Sequence, residues 1–335
     1  MRIATYNVEW FNALFDDNDS LCRDGLWSSR FKVTRAEQAD ALGVVFHALD
    51  ADAVMVIEAP DASAKRSTVV ALENFAAHYG LRCREAVMGF ANDTKQEIAL
   101  LYDPDVMSAR HTPRPGTGDV PRFDGTYAID LDIDSTEDQV AFSKPPLELS
   151  LETKGGFAFQ MIGVHLKSKA PHGAKSEKDV ARIGIANRRK QLAQAVWLRA
   201  RINQVLSEGS PLVVLGDLND GPGLDVFEDL FGKSSVEIVL GDAAYGVLFD
   251  PHASRALKHR FGAVPATARF WIRSEKRYLQ ALLDYIMLSQ DLCEHRPRWR
   301  IWHPMDDPAC WSDIELRDAL LRASDHFPVS VDLLI

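Results

Sequence analysis

Polar and ionisable residues stand repeatedly where an apolar run ends. Asn7 and Glu9 follow Ile3-Ala4-Thr5-Tyr6, Glu58 follows Ala53-Val54-Met55-Val56-Ile57, and His165 follows Met161-Ile162-Gly163-Val164. Asp217 and Asn219 follow Leu212-Val213-Val214-Leu215-Gly216, Asp284 interrupts Leu282-Leu283-Asp284-Tyr285-Ile286, and Asp325-His326 directly precede the last apolar run. Singly, most have a structural explanation. Asp217 with Asn219, Asp220 and Gly221 reads as turn chemistry, His165 as a satisfied core histidine and Glu58 as a solvated strand end. Asp284 is harder to account for in that way, because a carboxylate within an apolar strand costs several kcal/mol unless it is paired. His326 is a natural partner. Taken together, hard oxygen ligands that suit Mg²⁺ and histidines that suit proton transfer or phosphate contact make a set fit for metal-assisted phosphoester hydrolysis.

Such groups need strands to carry them. Apolar, β-rich runs cover Arg2–Val8, Ala53–Glu58, Glu97–Tyr102, Leu147–Glu152, Phe157–Val164, Leu212–Leu215, Leu283–Leu288 and Pro328–Leu333, several apolar on both faces as buried strands are. Three helices lie between them. One opens with the capping box Thr34-Arg35-Ala36-Glu37 and carries Leu42, Val45, Phe46 and Leu49 on one face. A second has Val69, Leu72, Phe75, Ala76 and Tyr79 at helical spacing and stops at Gly80. The third runs from Lys178 to Leu206, with Leu192, Val196, Ile202 and Leu206 inward and Arg188, Arg189, Lys190 and Arg199 outward. His111 to Asp138 and Ala243 to Glu275, rich in turn residues or lacking a clear period, read as long excursions.

Composition narrows the classes. The 335 residues include 46% hydrophobic and 26% charged side chains, and 38 Lys+Arg against 48 Asp+Glu leave a formal net charge of −10. That excludes a generic polycationic nucleic-acid coat, though not a local basic groove. Neither a membrane-length apolar run nor a leader-like start is present, so a cytoplasmic protein without membrane insertion is expected. Cys22, Cys83, Cys293 and Cys310 are far apart and read as reduced thiols.

The motifs Ala4-Thr5-Tyr6-Asn7-Val8, Val56-Ile57-Glu58, Val164-His165-Leu166-Lys167-Ser168-Lys169, Leu215-Gly216-Asp217-Leu218-Asn219, Leu283-Asp284-Tyr285-Ile286 and Ser324-Asp325-His326-Phe327-Pro328-Val329 together resemble the endonuclease/exonuclease/phosphatase superfamily in its order. The resemblance implies an α/β fold, a four-layered sandwich of two mixed sheets packed face to face with helices outside, in one catalytic domain over residues 1–335. It implies that Asn7, Glu58 and Asp325 hold Mg²⁺ or Mn²⁺, with Glu9 assisting through water. Asp217 would orient or deprotonate the attacking water, and Asn219 would hydrogen-bond the phosphoryl oxygens. His326, oriented by Asp284, would act as base or phosphate ligand, and His165 would contact phosphate or protonate the leaving oxygen. Departures bear on substrate. Ile57-Glu58-Ala59-Pro60 replaces the common Gln-Glu, and His165 stands where apurinic-site endonucleases carry tyrosine; both weaken that reading. Gln96-Glu97 lies near the place of a glutamate that pairs with the deoxyribonuclease histidine.

Basic residues follow His165, and of these Lys167, Lys169 and Arg182 are the candidates for substrate phosphate, whereas Lys190, Arg199 and Arg201 read as a solvated helix face. Trp271 with Arg269 and Arg273, and the run Arg296-Pro297-Arg298-Trp299-Arg300, could be stacking surfaces or plain packing. Three readings stand at this point: a nuclease on DNA or RNA, a phosphodiesterase or phosphatase on a small-molecule or lipid-headgroup phosphoester, and a non-catalytic binding module. The intact set of ionisable positions disfavours the last, and no protein partner beyond a monomer is called for.

Overall fold

The computed structural model describes residues 1–130, 138–171, 173–221, 232–244, 246–258, 264–272 and 276–335. In chain order its strands are β1 (Arg2–Asn7), β2 (Ala53–Ala59), β3 (Glu85–Met88), β4 (Glu97–Tyr102), β5 (Met107–His111), β6 (Tyr127–Ile129), β7 (Asp138–Val140) and β8 (Leu147–Thr153). They continue with β9 (Ala158–His165), β10 (Leu212–Asp217), β11 (Ala268–Ile272), β12 (Arg277–Ala281), β13 (Asp284–Leu288), β14 (Arg298–Ile301) and β15 (Val329–Asp332). All eight runs read from the sequence are strands. Asp284 begins its strand and does not interrupt it.

Two sheets dominate. The first has the order β14-β15-β1-β2-β4-β3, with β1 and β2 parallel; the second has the order β13-β10-β9-β8-β5, with β9 and β10 parallel. Their facing sides share one apolar core that includes Ile3, Met55, Ile57, Leu100, Met161, Val213, Leu215 and Ile286. A Cβ at Gly163 would run into the Met55 side chain, so the glycine lets the sheets approach closely there. Helices cover both outer faces. Against the first sheet lie α1 (Arg35–Leu49), α2 (Thr68–Tyr79) and the helix Ile314–Ala323, packing Leu42, Phe46, Phe75 and Leu320 onto Tyr6, Val54, Val56 and Leu101. Thr34 and Glu37 form the capping box, and Gly80 takes the left-handed conformation after α2. Against the second sheet lies α3 (Glu177–Ser207), whose Trp197, Leu198, Ile202 and Val205 meet Ile162, Val164, Val214 and Met287. The result is a four-layered α/β sandwich.

Two expectations change here. The excursions contain regular structure, with strand β6, which pairs with β7 at the first one's end, and the helix Pro251–Lys258 and strand β11 in the second. The basic residues of α3 do not form a solvated face: Arg188, Arg199 and Arg201 are buried. Arg199 donates to the carbonyls of Val239 and Leu240, 3.1 and 3.0 Å away. Arg201 donates to the Pro121 carbonyl at 3.0 Å, and its Nε lies 3.4 Å from Glu148 Oε1. A long helix buried on more than one side must satisfy its cations internally, and backbone carbonyls at the end of the helix Ser235–Leu240 and in the loop at Pro121 do so. Among the described residues no helix is long and apolar enough to cross a membrane.

Candidate active site

The second sheet aligns three functional candidates by register alone. Asp217 at the end of β10 is directly opposite His165 at the end of β9 and opposite Asp284 at the start of antiparallel β13. Gly216, just before Asp217, has φ 134°, and a Cβ there would collide with the Val164 carbonyl. Only glycine accommodates that approach, which turns Asp217 toward the sheet edge. Asn219, at φ 50°, folds back so that its N–H donates to Asp217 Oδ1 at 2.7 Å and its amide donates to Oδ2 at 3.1 Å.

His326 completes this group from the other sheet. It lies in the segment before β15, with Nδ1 2.8 Å from Asp284 Oδ2 and Nε2 4.0 Å from Asp217 Oδ2. The buried hydroxyl of Thr267 donates to Asp284 Oδ2 at 2.8 Å and accepts from the N–H groups of Leu283 and Asp284. Burial pulls the His326 pKa down, but Asp284 and Asp217 outweigh it and lift it to about 10, so the ring is an imidazolium at neutral pH. Burial raises Asp217 to about 7, with His326 opposing and Asp284 reinforcing the rise.

On the other flank of Asp217, His165 Nε2 lies 3.6 Å from Asp217 Oδ2 and 3.1 Å from Lys144 Nζ. Burial, then Lys144 and His326, hold His165 well below its ordinary range, so it is neutral. The glutamate partner suggested by Gln96-Glu97 is absent from this histidine. Glu97 accepts from the Asn92 amide at 2.6 Å and from the Asn92 N–H at 3.2 Å. Its carboxylate is therefore satisfied by Asn92, with the Ala62 N–H at 3.5 Å.

The first sheet contributes oxygen-rich residues through irregular backbone. Glu58 sits in a β-bulge between Ile57 and Ala59 at φ 61°, and Glu9 and Trp10 have φ of 47° and 58°. The Trp10 N–H donates to Glu58 Oε2 at 2.8 Å, the Glu9 N–H to Asn7 Oδ1 at 3.1 Å, and the Asp325 N–H to Glu9 Oε2 at 2.9 Å. Asn7, Glu9, Glu58 and Asp325 are thus stitched into one patch. Asn7 links that patch to the second sheet, donating from Nδ2 to Asp217 Oδ2 at 3.1 Å. Ser324 braces the junction, its hydroxyl donating to the Asn7 carbonyl at 2.7 Å and accepting from the His326 N–H at 3.0 Å. Arg30, arriving from the loop before α1, forms an ion pair with Glu9. Burial raises the Glu58 pKa, with Lys144 and the Trp10 N–H opposing.

The eight residues Asn7, Glu58, His165, Asp217, Asn219, Asp284, Asp325 and His326 therefore meet at one edge shared by the two sheets. The phosphate candidates are placed differently. Lys167 is half-buried two residues after His165, and burial, with Lys190 nearby, lowers its pKa. Lys169 donates to buried Asp220 at 2.6 Å, and Arg188 reaches the same oxygen at 3.0 Å. Arg182 is exposed near the start of α3 and faces Asp179, 3.4 Å away. In the aromatic runs, Trp299 donates to the Ile286 carbonyl and Arg300 pairs with Asp307, as packing elements do. Trp271 and Tyr278 stay about half exposed on the β11/β12 hairpin, with Arg269 over the Tyr278 ring, and Arg273 lies outside the described residues.

Lys144, Thr267 and Arg30 were missed by the sequence reading. Lys144 carries one signal, its place in Ser143-Lys144-Pro145-Pro146 just ahead of β8; the other two carry none. Asp217, Asp284 and His326 each offer one ligand atom within 4.8 Å of the others, so this buried group could hold a metal ion.

No curated protein matches the sequence. Among solved structures, the fold is similar to an endonuclease/exonuclease/phosphatase from Bacteroides vulgatus, at 14% identity over 99% of this chain and 98% of that one, with TM-score 0.50. It is also similar to the catalytic domain of human Nocturnin with bound sulfate, at 15% identity over 99% and 93% of the two chains, with TM-score 0.46. The mannosyl-6-phosphatase of Bacteroides thetaiotaomicron aligns at 14% identity over 100% of both chains, with TM-score 0.48. The profile of the Endonuclease/Exonuclease/phosphatase family matches residues 4–326, and the chain belongs to that family.

Proposed function

We propose that the protein is a divalent-metal-dependent phosphodiester hydrolase, a nuclease that cleaves DNA or RNA by in-line attack of an activated water, with residues 1–335 acting as one catalytic unit. The observation that carries this reading is the register that sets His165, Asp217 and Asp284 side by side, with His326 on Asp284 and the Asn7–Glu58–Asp325 patch joined to them through Asn7. Members of this family are generally phosphoester hydrolases that use divalent metals.

The donor chemistry of the patch fits Mg²⁺ or Mn²⁺. Two carboxylates and an amide oxygen are hard ligands, and burial raises the Glu58 pKa despite Lys144 and the Trp10 N–H, a cost that a bound cation would offset. Glu58, Asn7 and Asp325 would hold the ion, which would supply Lewis-acid stabilisation of charge on the phosphoryl oxygens. The protein's own groups do the rest. Asp217, close to neutral pH in affinity for a proton, accepts one from the attacking water. The His326 imidazolium, held by Asp284, and the Asn219 amide, once released from Asp217 Oδ2, would donate to the phosphoryl oxygens; preorganised donors of this kind contribute ~10²–10³ in rate each.

A second reading has its own support. Arg188, Arg199 and Arg201 are buried and Lys169 is paired, so much of the basic stretch that would track a nucleic-acid backbone is spent inside the fold. With a net charge of −10, this favours a compact small-molecule or lipid-headgroup phosphoester as the alternative substrate. Conversion of supercoiled plasmid to nicked and linear forms, with Mg²⁺ or Mn²⁺, decides between them. Nicking that disappears with chelator and in His165→Ala supports the nuclease. A folded, metal-loaded protein that never nicks moves the substrate to the small phosphoesters.

A further inference from the structure

Lys144 stands on the flank of Asp217 opposite the Asp284–His326 pair. Pro145 restricts Lys144 to extended backbone, and Pro146 is buried, so the chain holds the lysine in place before any substrate arrives. Its ammonium lies 3.1 Å from His165 Nε2, the nitrogen that is itself 3.6 Å from Asp217 Oδ2. An ammonium has donors and no acceptor, so Lys144 donates and His165 Nε2 accepts. His165 then keeps its own proton on Nδ1, which is buried without a hydrogen-bond partner. With Nε2 occupied in this way, His165 has no proton to offer at the side that faces Asp217. The proton available there is the one on Lys144.

In-line displacement sets the incoming water and the departing oxygen on opposite sides of phosphorus. The two histidines flank the same Asp217 oxygen, His326 tied through Nδ1 to Asp284 and His165 taking the Lys144 ammonium on Nε2, so the ammonium lies one side chain away from Asp217 and is tied to a neutral imidazole.

We propose that Lys144 is a catalytic residue that protonates the departing oxygen of the phosphoester, with His165 as the positioning residue that stands between its ammonium and Asp217. The proposal rests on the phosphoester-hydrolase reading given above. In the step, the bond from phosphorus to the departing oxygen breaks and its electron pair stays on that oxygen. A Lys144 proton forms the new O–H bond, and the neutral amine is reprotonated from water; the proton lost by the attacking water passes through Asp217 to solvent. Burial lowers the Lys144 pKa, against the pull of Glu58 and Asp217, which brings it closer to the range in which an ammonium donates readily.

The test compares two nucleotide esters that share a phosphoryl group and differ in the departing oxygen. Thymidylyl-thymidine releases a sugar alkoxide that needs a proton, and the 4-nitrophenyl ester of thymidine 5′-monophosphate releases a phenolate that does not. The full chain is assayed with Mn²⁺ as wild type, Lys144→Ala and Lys144→Arg, with melting curves for each. Expected is a loss of ~10²–10⁴ in kcat on the dinucleotide for both variants, the range typical of general acid catalysis, against less than about tenfold on the nitrophenyl ester. The arginine variant keeps the charge and volume, so it carries the test if the alanine variant melts early. Equal losses on the two esters, full rescue by arginine, or no loss would overturn the assignment while wild-type turnover leaves the hydrolase reading standing. A wild type that cleaves neither ester brings down the nucleotide-hydrolase reading and the proposal with it.

Discussion

The two sheet edges that meet at the candidate site are built by different means. On the second sheet, regular pairing does the work: His165, Asp217 and Asp284 are neighbours because β9, β10 and β13 are in register. On the first sheet, Glu9, Trp10 and Glu58 reach their places through left-handed backbone and a bulge. Such conformations cost of order 1–3 kcal/mol each and persist only where the surroundings enforce them. The regular edge gathers groups that move protons, and the irregular edge gathers oxygens. A rigid ladder suits proton transfer, where placement within a few tenths of an ångström decides the rate, whereas an oxygen patch needs several acceptors to converge from one short stretch of chain.

This division is open to attack by mutation. The largest effects belong to the regular edge and to the histidine that reaches it from the other sheet: Asp217→Ala, His326→Ala and His165→Ala are each expected to lower turnover by more than about a hundredfold while the protein stays folded by circular dichroism, because their side chains contribute chemistry more than packing. Normal activity in any two of them would dissolve the site. Glu58→Gln should act differently. It removes a ligand charge from the irregular edge and is expected to weaken Mn²⁺ binding by roughly 10- to 100-fold, a cost of the size seen when metal-site partners are altered, with turnover partly restored at high Mn²⁺. Titration calorimetry of Glu58→Gln beside Asp217→Ala separates the edges. Metal binding lost in Asp217→Ala and kept in Glu58→Gln would relocate the ion to the Asp217–Asp284–His326 group.

The same contrast explains what could be read in the sequence. His165, Asp217 and Asp284 were legible because each abuts a run such as Leu212–Gly216, apolar on both faces, and two-sided burial fixes where a strand ends. The capping box at Thr34 and the left-handed Gly80 were legible for a local reason: both signals lie within four residues of what they terminate. Glu58 could be named but its bulge could not, since the bulge answers to pairing with β4. Lys144 was invisible as a site residue because the histidine that gives it meaning is 21 positions away. The burial of Arg199 and Arg201 was misjudged for a similar reason. Helical spacing put Arg199 on the outer side of α3, but the carbonyls of Val239 and Pro121 that receive the two arginines come from a short helix and a loop distant in sequence.

Stability against pH gives a smaller, separate signal from the junction of the two edges, where His326 meets Asp284. The folded pKa of His326, about 10, lies above the ordinary histidine value of about 6.5, so the imidazolium stabilises the fold fully below about pH 6.5 and that contribution is lost as pH rises toward 10. In melting curves with chelator present, the gap in Tm between wild type and His326→Gln should therefore shrink steadily from pH 6.5 to 10. A gap that stays constant or widens would mean that Asp284 does not hold a charged ring.

The smallest effects are expected along the basic stretch, where two lysine and arginine positions can be set against each other. Lys169→Met takes a cation from Asp220, whose carboxylate is buried and also receives Arg188 and the Ser235 N–H. Losing one of several partners to a buried carboxylate should cost about 1–3 kcal/mol of stability, read as a lower urea midpoint at unchanged slope. Arg182→Ala removes an exposed guanidinium whose contact is with Asp179 of its own helix, so it should shift stability by less than about 0.5 kcal/mol. Its effect on KM for plasmid is then informative by itself. A KM rise larger than about threefold, steeper at low salt, would return Arg182 to the path of a nucleic-acid backbone; an unchanged KM at every salt concentration would confine substrate to the sheet edge and weigh against a long polyanion.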